Sequence, residues 1–489
     1  MNMPLTRQQL ILTFSIAAFC TLAQMLAGTA ALVAVLFAIA ALFGTLAVFA
    51  GGGLKSAFGC LNAILIGKFL LFAIGIKFLM FEPADGPLHA PVTTGVVMAL
   101  GFAGLLAGTL LQSRVSCPQT WSMNRPFSPP MLLSFSIVLF AVSYLAFFAS
   151  LLPSASGQGL QTGGWLGVAR ALASLKSFAI VPPMLYLWRI RTRLWMSHPV
   201  IVSVLLWSAM VGIFSTNKQD AMEPLVFYVL VGFMRYGMRD ARLWSLVTAG
   251  VFYYALIVFP YSQYVRYSGG REGTLSQRAE ITKETFWRMA SDQDFRSASS
   301  KKIVSGTSYF EQTALSPFGR LAMVGEADKL ISSTERQNAF TGWETIVWGF
   351  KLLMPSFLYP NKPVYESGNY LAHIVGEVGS SDTTTQVSYG VMANLYNAFS
   401  YLGVAIGTPL FFAGFYFWIR IFLGDPRWDG QPSSSALWFI WLVATFQHSI
   451  VESTLSGLVA SLSFPVVIVI LYLAARWFCV FLPGKLVAA

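Results

Sequence analysis

The residues of this chain best suited to chemistry are a few ionisable side chains set in long apolar runs. Lys68, Lys77, Arg170, Lys176, His448 and Glu452 lie in stretches otherwise aliphatic and aromatic, and Lys218, Asp220 and Glu223 stand at the edge of another. A charge in hydrocarbon is costly unless it meets a partner or a water-filled cavity, so such residues mark sites. Lys77, Arg170 and Lys218 also suit a simpler role, the long side chain reaching back to the interface. Lys176 is too far from a span end for that, which points to a role inside the bundle. His448 and Glu452, four residues apart on one helical face, suit either a site or a packed polar pair.

Other motifs are weaker. Asp292 and Asp294 form an Asp-x-Asp like that of metal-dependent nucleotide-sugar transferases, but the surrounding sequence is that of a solvated helix face. Gly269, Gly270 and Gly273 lack the lysine of a phosphate-binding loop and suit a turn. No Ser-His-Asp pattern, His-Glu-x-x-His or internal repeat is present. Cys20, Cys60, Cys117 and Cys479 have no metal-type spacing, so neither disulfides nor a cysteine-based metal site is implied.

The elements that must position these residues are membrane helices. Hydrophobic residues make up 55% of the chain and charged ones 11%, with a mean hydropathy of +0.62. Apolar runs near the ~20 residues needed to cross a bilayer recur at 9–28, 30–50, 57–80, 92–112, 131–152, 164–188, 199–214, 222–234, 243–262, 400–420, 435–455 and 458–480. The expectation is an all-α polytopic membrane protein of about twelve transmembrane helices, divided into spans one to nine (1–262), one large polar segment (263–386) and three last spans (387–489).

Basic residues orient the spans, because positive charge near span ends stays in the cytoplasm. With both termini inside, the inner segments collect Arg7, Lys55, Arg114, Arg125, Arg189, Arg191, Arg193, Arg235, Arg239, Arg242, Arg420, Arg427, Arg476 and Lys485. The short outer loops hold Glu82, Asp85, Asp220, Glu223 and Glu452 against Lys218 alone. The net charge of +11 is therefore mostly topogenic and suits an anionic inner leaflet rather than nucleic acid. On this topology the ionisable groups crowd the outer half of the membrane, and the polar segment forms a subdomain on its outer face.

A 124-residue connection is too long for a plain loop. Residues 274–303 have the composition of one or two short surface helices. Residues 342–358 are apolar and aromatic with only Glu344 and Lys351 charged, which suits a helix lying in the outer interface. Were 342–358 to span instead, 359–386 would become cytoplasmic, against the charge distribution.

Residues 341–410 carry a family resemblance. MPSFLYPNKP (354–363), the Ser367, Asn369 and Tyr370 of ESGNYLAHIVGE, and VSYGVMANLYNAFSYLGVAIGTPLFF resemble the Wzy-type polymerases of O-antigen, enterobacterial common antigen and related surface polysaccharides. The matching elements are Pro355, Pro360, Lys362, Pro363, Asn369 and Tyr370. The layout of spans around one large outer loop is also similar. The chain departs from the family in placing Lys218 where an arginine is usual, and in lacking a loop arginine followed eleven positions on by glycine.

The resemblance implies a membrane glycosyltransferase that transfers a growing glycan from polyprenyl pyrophosphate to another lipid-linked repeat unit, without metal or cofactor. It further implies a chain-length regulator as partner. Such a reaction needs cations for the leaving pyrophosphate, for which Lys218, Arg170, Lys362, Arg266 and Arg271 are the candidates, and a base for the acceptor hydroxyl, for which His373, Glu366, Glu377 and Asp382 lie close to the motif. An O-antigen ligase shares this architecture, but the residue before Asn394 is Ala393 where ligases have histidine. A transporter or lipid-oligosaccharide flippase would instead need polar groups through both halves of the membrane.

Overall fold

The computed structural model describes residues 6–115, 127–151, 172–192, 195–214, 218–237, 239–267, 275–292, 322–353, 367–379, 387–452 and 454–481. Among these no strand occurs, only an isolated bridge between Ser56 and Arg427. The helices begin with α1 (Arg7–Leu26), α2 (Ala31–Ala50), α3 (Ala57–Leu79), α4 (Pro91–Arg114), α5 (Pro129–Leu151) and α6 (Val181–Arg189). Next come α7 (Pro199–Phe214), α8 (Lys218–Tyr236), α9 (Ala241–Tyr253), α10 (Phe259–Tyr267), α11 (Leu275–Ser291) and α12 (Val324–Gln337). The last six are α13 (Glu344–Leu353), α14 (Ser367–Val375), α15 (Gly390–Leu402), α16 (Thr408–Leu423), α17 (Ser434–Glu452) and α18 (Thr454–Cys479).

Among the described residues, seven stretches are long and apolar enough to cross a membrane: α1 to α5, the run Ala241–Ser262, and the run Gly390–Leu423. The protein is an all-α membrane protein. Its helices approach closely through small residues, as apolar bundles in lipid must. Gly101, Gly104 and Gly108 form a stripe on α4, where an added Cβ would meet the Met392 sulfur at 2.4 Å, Pro409 Cδ at 2.8 Å and the Pro409 carbonyl at 2.7 Å. Asn62 ties four helices together. Its amide donates to the Ala47 carbonyl at 2.8 Å and to Thr109 Oγ1 at 3.2 Å, while its oxygen accepts from Tyr416 at 2.6 Å.

One expected span and one longer apolar run are broken helices. Within 164–188, the described part turns at Lys176, passes through a 3₁₀ segment (Ser177–Ile180) and restarts as α6. Pro182 and Pro183 have no N–H to donate backwards, so a continuous helix cannot run through them, whereas a new first turn accepts them. The run Gly390–Leu423 would be ~51 Å long as one helix, far beyond a ~30 Å core. It folds back instead at Phe399 (φ −142°) and Ser400 (φ +56°, ψ −149°), and Gly403 and Gly407 on the return arm lie against Leu395.

The break is held by the polar segment. Thr341 N donates to the Asn397 carbonyl at 3.0 Å and Gly342 N to that of Ala398 at 3.1 Å, taking up acceptors that the interrupted helix leaves open. The Asn397 amide donates to Thr334 Oγ1 (2.8 Å) and the Ala339 carbonyl (3.0 Å), and its oxygen accepts from Thr341 Oγ1 (2.9 Å).

Charges are sorted between the two ends of the bundle. At one end Trp428 N donates to the Lys55 carbonyl (2.8 Å), Ser56 Oγ to Asp425 (3.1 Å) and Arg420 to the carbonyls of Gln112 and Val115 (3.1 and 3.2 Å). Lys55, Arg420 and Arg427 thus share a basic end. At the other, Lys77 pairs with Glu82 at 2.7 Å and Asp85 accepts from Ala30 N at 2.9 Å.

Candidate functional site

The site is built on α12, a helix of polar sequence sunk into the apolar bundle. Its entry is fixed by α3, whose π turn (Gly67–Leu71) disturbs the regular hydrogen-bond ladder, and the Lys68 carbonyl accepts from Met323 N at 2.8 Å. Its side is fixed by Asp328, which is 1% exposed. That carboxylate accepts from His89 N (2.6 Å), Ala90 N (3.0 Å) and Thr94 Oγ1 (2.7 Å), capping the start of α4, where Ala90 has no side chain to do so. A negative charge suits the partial positive charge of a helix N-terminus, which makes the burial of Asp328 tolerable. The far end of α12 closes on Asn338, whose φ of +51° is the left-handed conformation common at helix ends.

On another face of α12 stand Glu326 and Lys329. The Lys329 ammonium donates to both Glu326 oxygens (3.2 and 3.1 Å) and to Glu377 Oε1, and Tyr389 OH donates to Glu377 Oε2 at 2.8 Å. The side chains of Glu326, Lys329 and Glu377 keep 28, 15 and 21% of their surface, so small polar groups can reach them. Burial raises the Glu326 pKa against the pull of Lys329. Burial works against the Lys329 ammonium, but Glu326 and Glu377 outweigh it and hold its pKa above the ordinary lysine value. Burial pushes the Tyr389 phenol up, and the neighbouring Glu377 adds to the shift, so this tyrosine donates its proton and keeps it. With two carboxylates and one ammonium, the cluster bears a net negative charge when ionised. It suits hydroxyl groups better than phosphate.

Of the residues expected from sequence, Glu377 lies in this cluster. His373, Asn369 and Tyr370 sit on the preceding α14, all half-buried, and Tyr370 OH donates to Glu344 Oε2 at 3.1 Å. α14 is held to α12 by Gln337, whose amide donates to the Ile374 carbonyl at 3.0 Å. Lys218 is the first residue of α8 and Arg266 lies on α10, the side chains of both falling outside the description. Arg170, Arg271, Lys362, Glu366 and Asp382 lie outside the described residues. Glu326, Lys329 and Tyr389 were not singled out by sequence. The Glu326/Lys329 pair at i and i+3, on a short helix with several apolar residues, was the available signal.

A second buried polar centre joins Lys176 to Asp220 of α8 at 2.8 Å, with side chains 8 and 15% exposed. The ammonium also lies 4.8 Å from the Phe147 ring centre. This pair explains how a lysine deep in an apolar run is accommodated, and it fixes the 3₁₀ break against the start of α8. Comparison with protein-family models, curated proteins and solved structures finds no match to the chain.

Proposed function

We propose that the chain is an integral inner-membrane glycosyltransferase that joins polyprenyl-pyrophosphate-linked oligosaccharide repeat units at the periplasmic face. The observation that carries this reading is that Glu377, from the stretch resembling Wzy-type polymerases, meets Lys329, Glu326 and Tyr389 in a cluster that solvent reaches and an apolar bundle surrounds. Carboxylates aimed at a reachable space are the groups that bind and deprotonate sugar hydroxyls. The sorting of charge between the bundle's ends supports the orientation, with the Lys55 and Arg427 end cytoplasmic and the Glu82 end periplasmic. In this reading about twelve spans carry the site and both termini are cytoplasmic.

In the proposed reaction the acceptor hydroxyl takes the place of Tyr389 on Glu377, which accepts its proton as the oxygen attacks the anomeric carbon of the donor. The bond between that carbon and the pyrophosphate breaks, the configuration inverts, and polyprenyl pyrophosphate leaves. Lys329 holds the two carboxylates in place. The leaving pyrophosphate carries charge that the net-negative cluster cannot stabilise. That task falls to cations elsewhere, with Lys218 first among them because it opens α8, and a helix N-terminus adds N–H donors for phosphate oxygens. Replacing Glu377 by Gln should stop chain growth at normal protein level; growth at the wild-type rate would remove Glu377 from the mechanism.

A further inference from the structure

Three arginines crowd the basic end of α8 and α9, and two of them are occupied. The Arg235 guanidinium lies over the rings of Trp188, Trp195 and Tyr236 at 5.4, 5.5 and 5.7 Å, and Arg242 is tied to Asp240 at 2.8 Å. Arg239 is exposed and has no ion pair or hydrogen bond among the described residues. It stands at the head of a shallow, open groove along one face of α9, lined by Ala241, Trp244, Ser245, Thr248, Ala249 and Phe252. Trp244 is 46% and Phe252 60% exposed, and the Trp244 ring is braced by Phe233 at 5.3 Å.

We infer that this groove binds an anionic phospholipid, its phosphate on Arg239 and one acyl chain along Trp244, Thr248 and Phe252. Length supports this occupant. From Ala241 to Phe252 the helix rises ~16 Å, close to the ~15 Å depth of one leaflet, so a chain lying there ends near the midplane. Charge selects the head. A zwitterionic lipid would bring its ammonium toward Arg239, and a free phosphate would leave the apolar wall bare, whereas an anionic lipid satisfies both halves. Basic groups at the membrane face of a span recognise anionic heads in this way.

The test places the full chain in phosphatidylcholine vesicles containing a minor fraction of acyl-brominated phosphatidylglycerol or, in parallel, acyl-brominated phosphatidylcholine. The difference between wild type and Trp244→Phe isolates Trp244 fluorescence from that of the other tryptophans. Phosphatidylglycerol should quench Trp244 with an occupancy about fivefold higher than phosphatidylcholine, the preference one basic side chain confers at low salt. Arg239→Gln should remove the preference and Arg239→Lys should keep it. Equal quenching by the two lipids in wild type, or a preference that survives Arg239→Gln, overturns the inference. Mass spectrometry of lipid retained through detergent purification gives a readout without Trp244→Phe: phosphatidylglycerol retained by wild type and lost from Arg239→Gln supports the site, and equal retention by the two refutes it.

Discussion

Replacing Asp328 by Ala tests whether the polar segment is anchored in the bundle by one carboxylate. The substitution removes the acceptor of two backbone N–H groups and one hydroxyl, all at a side chain 1% exposed. The His89 and Ala90 N–H groups are part-buried and the Thr94 hydroxyl is buried. At about 1–1.5 kcal/mol for each part-buried donor and about 1 kcal/mol for the Thr94 bond, the loss is about 3–4 kcal/mol. Asp328→Asn keeps an acceptor but loses the charge at the α4 N-terminus, for about 2 kcal/mol. Hydrogen exchange of the peptide covering α12, followed by mass spectrometry in lipid nanodiscs, reads this directly. Protection in Asp328→Ala should fall by about two to three orders of magnitude, and in Asp328→Asn by more than about tenfold. A fall of less than about tenfold in the alanine variant, with α18 unchanged, would show that apolar burial alone seats α12.

Other substitutions probe the remaining joints. Lys176→Met strands the Asp220 carboxylate and should cost about 3–5 kcal/mol, while adding Asp220→Asn should recover most of it; thermal unfolding of both variants checks this, and a double variant as weak as the single one contradicts the pairing. Gly390→Ala should destabilise by about 2–4 kcal/mol, because φ is +84° there and a Cβ would stand 2.2 Å from the Phe69 ring; an unfolding midpoint equal to wild type would refute the packing. Ser400→Gly should stabilise by about 1 kcal/mol, since its positive φ strains a serine and not a glycine; a lower midpoint would show that the serine side chain matters more than the strain.

The apolar runs were legible because hydropathy is a local property, and helices such as Ala31–Ala50 and Pro91–Arg114 follow the expected spans to within a few residues. The interruptions were less so. Pro182 and Pro183 announced a break before α6, but in a run that composition alone marks as a span. The fold-back at Phe399 and Ser400 has no local signature; it depends on Thr341 and Gly342 arriving from elsewhere to satisfy open carbonyls. The same holds at the site. Glu377 could be found from its place near a recognisable motif, whereas Glu326 and Lys329 become candidates only when Asp328 and the Lys68 carbonyl draw α12 into the bundle. Long-range hydrogen bonds of this kind leave little trace in a single sequence.

The proposed role of Glu377 is that of the base with which this chain polymerises lipid-linked repeat units. Its most direct test is the length distribution of surface glycan, resolved on a gel, from a strain whose only copy of the chain carries Glu377→Gln, with membrane abundance checked on the same sample. The account predicts normal abundance, a single repeat unit on the acceptor and no ladder of longer chains, as in a strain lacking the chain altogether. A full ladder from Glu377→Gln would contradict the assigned base, and a full ladder from the strain lacking the chain would contradict the polymerase.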